Sequence, residues 1–423
     1  MSTESQSPDM RPSPDPQPSL WTRDFTLITL ATILGAAGAI AGDFALSFFV
    51  FDETGSTLAS ALVIAIQLVP HILVPLAVSP IMDRLPRKAF LIAGDMACGI
   101  AYAALGVWLA FAGFSYVGYL AISLMLACLG AVDELAWTSI YPEVIPQSAE
   151  QKGYAVSGML YTTLAIVMTP FAAVLLDTIG VPRLLMAQGM LAIAAALIES
   201  LVHVEEHERE RSEQEGFAQW LADITETVSW LKDERGMRGL FGYMAVSNGL
   251  YTGFSPILIA FFRTTPGLSA ALYALFSAAE CIGRTVGSAL QYAVKVPREK
   301  RFGICLFVYI FYDLMDAVLL WLPYPLMLAN RTACGFLGAN SYILRESAMQ
   351  RYIPEHMRSR VNAFQGAFVM AVCSVCALAV GALGEVLDYR MCMTLCGLAA
   401  VTASVLLVWM RRGHVRRIFE AAE

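Results

Sequence analysis

The residues with chemistry to offer are the ionisable ones that interrupt long apolar runs: Asp43, Glu280 with Arg284, and Asp313 and Asp316 with Arg331. A charge at membrane depth costs several kcal/mol unless it is paired or hydrated, so each of these needs a partner or a task. Asp43, in the outer third of its run, can exchange a proton if it faces a cavity, or can serve structure through a hydrogen bond to a neighbouring helix. Glu280 and Arg284 lie one helical turn apart on the same face, which suits a static ion pair, the favoured reading, or a proton switch. Asp316 and Arg331 each sit about seven residues from the centre of the turn at Pro323-Tyr324-Pro325. An antiparallel hairpin therefore sets them at equal depth as a structural ion pair; alternatively, Arg331 is a cavity cation for an anionic substrate.

Gln67, Tyr161, Asn248, Tyr251 and Asn340 are further candidates for polar or aromatic cavity contacts, together with His71 and Tyr342. Cys373-x-x-Cys376 is read as packing: all nine cysteines fall in apolar runs, where small polarizable side chains fill a core. No phosphate-binding loop, metal-ligand cluster, Gly-x-Ser-x-Gly nucleophile motif or basic nucleic-acid face is present. The expectation is a protein that is no enzyme, needs no cofactor or metal and binds no nucleic acid.

The elements that hold these residues are membrane spans. The 423-residue chain is 57% hydrophobic and 15% charged, against about 25% charged in soluble domains. About twelve apolar runs are recognisable, at 25–51, 58–80, 89–112, 115–141, 153–177, 182–203, 237–262, 268–293, 302–322, 324–348, 361–385 and 389–411. Most can cross a hydrocarbon layer ~30 Å thick as a helix. If both termini are cytoplasmic, 22 of the 28 lysines and arginines fall on the cytoplasmic side, 3 on the outside and 3 within spans. That bias sets the orientation. The fold class is an all-α polytopic membrane protein of two pseudo-symmetric six-helix halves. Residues 1–24 read as a disordered cytoplasmic tail, 25–203 and 237–411 as the halves, 204–236 as a cytoplasmic linker and 412–423 as a C-terminal tail. Within the linker, Phe217, Trp220, Leu221, Ile224, Val228 and Leu231 recur at helical spacing. They predict an amphipathic helix along the inner membrane surface, or a docking site for a soluble partner.

The halves carry a weak repeat. Gly130-Ala131, Ile145-Pro146 and Lys152 match Gly338-Ala339, Ile353-Pro354 and Arg360 at a constant offset of 208. Between the second and third spans lies Ser79-Pro-Ile-Met-Asp83-Arg84-Leu-Pro86-Arg87-Lys88. This loop resembles the Gly-x-x-x-Asp-Arg-x-Gly-Arg-Arg/Lys signature of the major facilitator superfamily, with Ser79 and Pro86 in place of its glycines. Gly42-Asp43…Ser56, Leu68-Val-Pro70 and Ser341-Tyr…Arg345-Glu-Ser…Asn362 are similar to its branch of bacterial drug, macrolide and siderophore exporters. Two antiporter motifs differ: Leu126 stands where an Arg is usual, and Thr169-Pro170-Phe-Ala-Ala173 replaces a Gly-Pro-x-x-Gly-Gly.

The resemblance implies parallel six-span repeats that rock about a midplane site, with helices 1, 4, 7 and 10 lining the cavity. It also implies a latch: Asp83 caps helix 11, where the helix dipole favours an anion, and Arg84 or Arg87 pairs with Asp133 or Glu134. A plain positive-inside anchor is the simpler reading of the same loop. Asp43 and Glu280 become the candidates for proton coupling. The function expected is proton-coupled efflux of a small amphipathic substrate by a monomer in the cell membrane, with lipids and protons as its other partners. An importer or facilitator for a metabolite or lipid, and a non-transporting scaffold or sensor, are the rival readings.

Overall fold

The computed structural model describes residues 20–82, 86–146, 150–203, 217–294 and 296–420. Among them are thirteen α-helices: α1 Arg23–Thr54, α2 Thr57–Met82, α3 Arg87–Phe111, α4 Tyr116–Val144, α5 Glu150–Ser200, α6 Phe217–Asp233, α7 Arg235–Thr264, α8 Ala270–Ala293, α9 Arg298–Val318, α10 Tyr324–Tyr352, α11 Arg358–Val386, α12 Tyr389–Ala403 and α13 Arg412–Glu420. The protein is an all-α, multi-pass membrane protein.

Nine stretches of the described residues are long and apolar enough to cross a membrane. One of them, within α5, holds two spans. Gly180 sits at φ 77° between its arms, two residues before Pro182. A positive φ is open to glycine at little cost, and proline removes a helical donor. The chain therefore bends there and returns. The charged α8 and α10 complete a set of twelve.

Packing repeats between the halves. α2 lies on α4 as α8 lies on α10, and α3 packs on α5 as α9 packs on α12. Across the halves, α2 meets α11 and α5 meets α8. These contacts gather at the end of the bundle where α1 gives way to α2. One hydrophobic cluster there draws on both halves, joining Phe44, Phe48 and Leu176 to Ile259, Ala270 and Ala274. At the opposite end the cores stay separate: Phe25, Met82, Leu91 and Ile140 in one half, Met237, Leu344 and Val408 in the other. The two bundles thus share a core at one end and keep separate cores at the end where α1 begins and α13 lies.

The amphipathic pattern expected in the linker is the helix α6. It docks on the second half: Trp230 and Leu231 pack against that half's core. Arg360 donates to Glu226 (3.0 Å), and the Tyr352 hydroxyl donates to Glu234 (2.7 Å). The segment expected to be a C-terminal tail is built into the same core. Val415, Ile418 and Phe419 lie at spacings of three and four, form the inner face of α13, and are buried.

Candidate functional site

Close backbone packing brings the charges of the second half together. A Cβ added at Gly335 of α10 would fall on the Glu280 carbonyl of α8, and one at Gly283 on the Thr332 carbonyl. Small residues at a helix crossing let membrane helices approach this closely. The crossing sets Glu280 and Arg284 of α8 against Arg331 of α10, with α9 behind them.

There the charges form a chain. Asp316 of α9 accepts from Arg331 Nη2 (2.8 Å), and Arg331 Nη1 lies 3.7 Å from Glu280 Oε2. Glu280 Oε1 in turn accepts from Arg284 Nη2 (2.8 Å). The Tyr251 hydroxyl of α7 donates to the same carboxylate (3.0 and 3.2 Å). Arg331 is 1% exposed, Asp316 3% and Glu280 7%, and the Arg331 guanidinium also faces the Phe276 ring at 5.2 Å. The two pairings read from spacing, Glu280 with Arg284 and Asp316 with Arg331, are both present, and the structure joins them through Arg331. Asp313 turns elsewhere, accepting from Ser404 Oγ (2.7 Å).

The cavity end of this chain opens into a space of about 510 Å³ lined by Tyr243, Asn248, Tyr251, Glu280, Arg284, Tyr309, Tyr312, Tyr342 and Arg345, among others. A second space, of about 380 Å³, lies against the first half and is lined by Asp43, Gln67, His71, Tyr102, Tyr119 and Gly130, with Pro256 and Ile259 of α7. Of the expected cavity residues, Asn248 and Tyr251 line the first and Gln67 the second. Arg331, Asn340 and Tyr161 line neither. Asp316 holds Arg331 inside the α8–α9–α10 junction. The Asn340 amide donates to Phe336 O of its own helix (2.7 Å). Tyr161 is exposed on α5.

The loop contacts differ from expectation. Asp83 and Arg84 lie outside the described residues. Arg87 does reach α4, but its Nη1 donates to Glu143 Oε1 (3.0 Å), not to Asp133 or Glu134. The reason is depth: α3 begins at Arg87, level with the last turn of α4. Asp133 is ten residues back along that helix, about 15 Å further in. Glu134 instead meets His71 Nδ1 (3.2 Å), and Asp133 packs against Gly94 of α3.

Three features were not read from the sequence. Asp95 of α3 and Glu199 of α5 lie near each other and near Asp133 of α4. Glu199 is 3% exposed, and its Oε2 has no partner among the described residues. Their signal was present as lone acids in apolar runs, but nothing in the spacing brings three helices together. Arg345 lines the larger of the two cavities without a carboxylate partner among the described residues. The third is a clasp where the halves meet. Glu385 of α11 accepts from Leu58 N (2.9 Å), Ser56 Oγ (2.7 Å) and Thr57 Oγ1 (3.2 Å) at the start of α2. Beside it, Arg263 of α7 donates to Asp52 of α1 (2.6 Å).

A two-bundle helical membrane protein with charged groups along internal cavities belongs to the class of membrane transporters. The family model of the Major Facilitator Superfamily matches residues 25–315, and the chain belongs to that superfamily. No curated protein sequence matches it significantly. Among solved structures it is similar to a peptide transporter of the POT family bound to alafosfalin, with 12% identity, a TM-score of 0.70 and coverage of 95% of this chain and 97% of that one. It is also similar to the nucleoside transporter NupG, with 10% identity, TM-score 0.68 and coverage of 93% and 99%. A third is a bacterial homologue of the human lysosomal transporter Spinster, in an inward-facing, unoccupied conformation, with 12% identity, TM-score 0.63 and coverage of 94% and 96%. At these identities the likeness is one of fold.

Proposed function

We propose that the protein is a secondary active transporter that exports a small amphipathic compound across the cell membrane in exchange for protons, by alternating access. The observation that carries this reading is the chain Asp316–Arg331–Glu280–Arg284, buried at one end and open to a cavity at the other. Glu280 is held by two arginines and a tyrosine. A proton arriving on it removes the charge that both arginines face, so proton occupancy is coupled to the shape of the cavity wall. Asp43, on the wall of the second cavity, is the other carboxyl placed to exchange a proton with bound cargo.

With both termini cytoplasmic, as the placement of Lys and Arg favours, the joined end faces outward and the described state is open to the cytoplasm. Cargo then enters the cavities from the cytoplasm, and the clasp at Glu385 must part to release it. The working unit in this reading is the monomer.

The test uses proteoliposomes loaded with a pH-sensitive dye and a panel of cationic, neutral and anionic amphiphiles under an imposed pH gradient. Proton movement triggered by a cargo, and lost in Glu280→Gln or Asp43→Asn, is the expected result. Cargo movement without proton movement would leave a facilitator, with the acids serving structure alone.

A further inference from the structure

Arg345 is a cation in the larger cavity that the proton-coupled network does not use. It sits on α10, between Tyr309 of α9, its guanidinium 6.0 Å from the ring centroid, and Tyr342 of its own helix, at 5.5 Å. Tyr309, Tyr243 and Cys305 face it. No described carboxylate pairs with it, and its Nε is buried without a hydrogen-bond partner. Glu346, its neighbour in sequence, accepts instead from Gln350 (2.9 Å).

The charge balance of the cavity points the same way. Two arginines and one carboxylate line it. Glu280 takes up Arg284 at 2.8 Å, and Arg331 behind the wall is met by Asp316. Arg345 is left without an ion-pair partner among the described residues, and Asp313, which lies near the same Tyr243, is held by Ser404. An unpaired cation at membrane depth is costly, and where one persists it marks a ligand path. A guanidinium that rests against aromatic faces keeps its in-plane N–H groups free for a planar anion. Around it Tyr243 and Tyr309, with centroids 4.3 Å apart, form a tilted aromatic wall.

We propose that Arg345 is the anion-binding residue of this cavity, and that the cargo is an organic anion: a flat apolar body carrying a carboxylate or phosphate head. The body lies against the tyrosines and the head meets the guanidinium. This deepens the transport reading and rests on it for the word cargo. The energetics agree with export, because an anion leaving and a proton entering both move charge in the direction favoured by an inside-negative potential.

The experiment measures equilibrium binding to the purified full chain by titration calorimetry. Its probes share one body: 2-naphthoate, 2-naphthyl phosphate, neutral 2-naphthamide and cationic 2-naphthylmethylammonium. The expected result is that one or both anions bind about tenfold or more tighter than the amide, as a charge-assisted hydrogen bond would give. Arg345→Gln should erase that preference, and Arg345→Lys should keep part of it. The two anions tell a carboxylate head from a phosphate head. Anions that bind no tighter than the amide, bind unchanged in Arg345→Gln, or fail to saturate at millimolar concentration overturn the proposal. A thermal melt of each variant separates lost binding from lost folding, and Arg345→Lys keeps the test open if Arg345→Gln does not fold. Binding through Arg345 without any flux in proteoliposomes would sink the transport reading alone. Flux of neutral or cationic cargo that is unaffected in Arg345→Gln would sink the anion site alone.

Discussion

The carboxylate of Glu385, near the end of α11, accepts a hydrogen bond from the backbone amide of Leu58, at the start of α2, at 2.9 Å. The two residues are 327 positions apart in the chain and belong to opposite halves. An anion at a helix N-terminus meets unsatisfied N–H groups and the positive end of the helix dipole. This one also takes the Ser56 and Thr57 hydroxyls.

Because the cap crosses the interface between the halves, its loss should shift their equilibrium as well as fray a helix. Capping contacts are worth about 0.5–2 kcal/mol. Glu385→Ala should therefore lower the ratio of closed to open at that end by roughly 2- to 30-fold. Pulsed-EPR distances between labels at the start of α2 and the end of α11, on a cysteine-depleted background, would show a longer-distance population growing. An unchanged distribution would make the contact incidental.

The Asp316–Arg331 pair should behave as a buried ion pair. Asp316→Asn or Arg331→Met alone leaves a buried charge short of its partner and should cost about 3–5 kcal/mol. The double replacement Asp316→Leu with Arg331→Met should recover most of that loss, since Glu280 keeps Arg284 and Tyr251. Melting of the purified protein in detergent reads the difference. Additive losses in the double variant would contradict the pairing.

That pair was legible in the sequence because two prolines fix the turn between α9 and α10, so depth could be counted from it. The Glu280–Arg284 contact was legible for a similar reason: one helical turn settles who faces whom. The all-α class, the set of spans and the amphipathic α6 followed from composition and period, whereas α13 did not. The partner of Arg87 was not legible, because two helices that meet end to end can be offset by several turns with no trace in spacing. The Glu385 clasp and the isolation of Arg345 depend on which helices of different halves and hairpins become neighbours. No local pattern encodes that.

Glycine at the α8–α10 crossing offers a third test. Gly335→Ala would drive a methyl into the Glu280 carbonyl. Backbone cannot move aside as a side chain can, so the cost should be about 1–3 kcal/mol. Gly303→Ala, in α9, meets nothing within 4 Å and should be neutral or stabilising by about 0.4–1 kcal/mol. The contrast between the two melting shifts is the measurement. Equal shifts would mean that the helices do not approach so closely.

The last helix makes a fourth. Phe419 is 1% exposed and its ring lies 5.9 Å from that of Phe302. Phe419→Ala should cost about 3–5 kcal/mol, an effect expected of a core residue and not of a tail. A variant that melts like the parent would show that α13 detaches in solution.

The charges that keep α8 and α10 out of the set of plainly apolar spans bear on how the protein is made. A nascent α8 reaches the bilayer carrying Glu280 and Arg284 before Arg331 has been synthesised. The two residues of α8 neutralise each other one turn apart, so that helix can wait in lipid. Arg331 has no such companion within reach on α10, and Asp316, its partner, lies on the helix made just before it. Entry of α9 and α10 as a hairpin would spare Arg331 that cost, since the order of synthesis has already supplied Asp316 as its counter-charge.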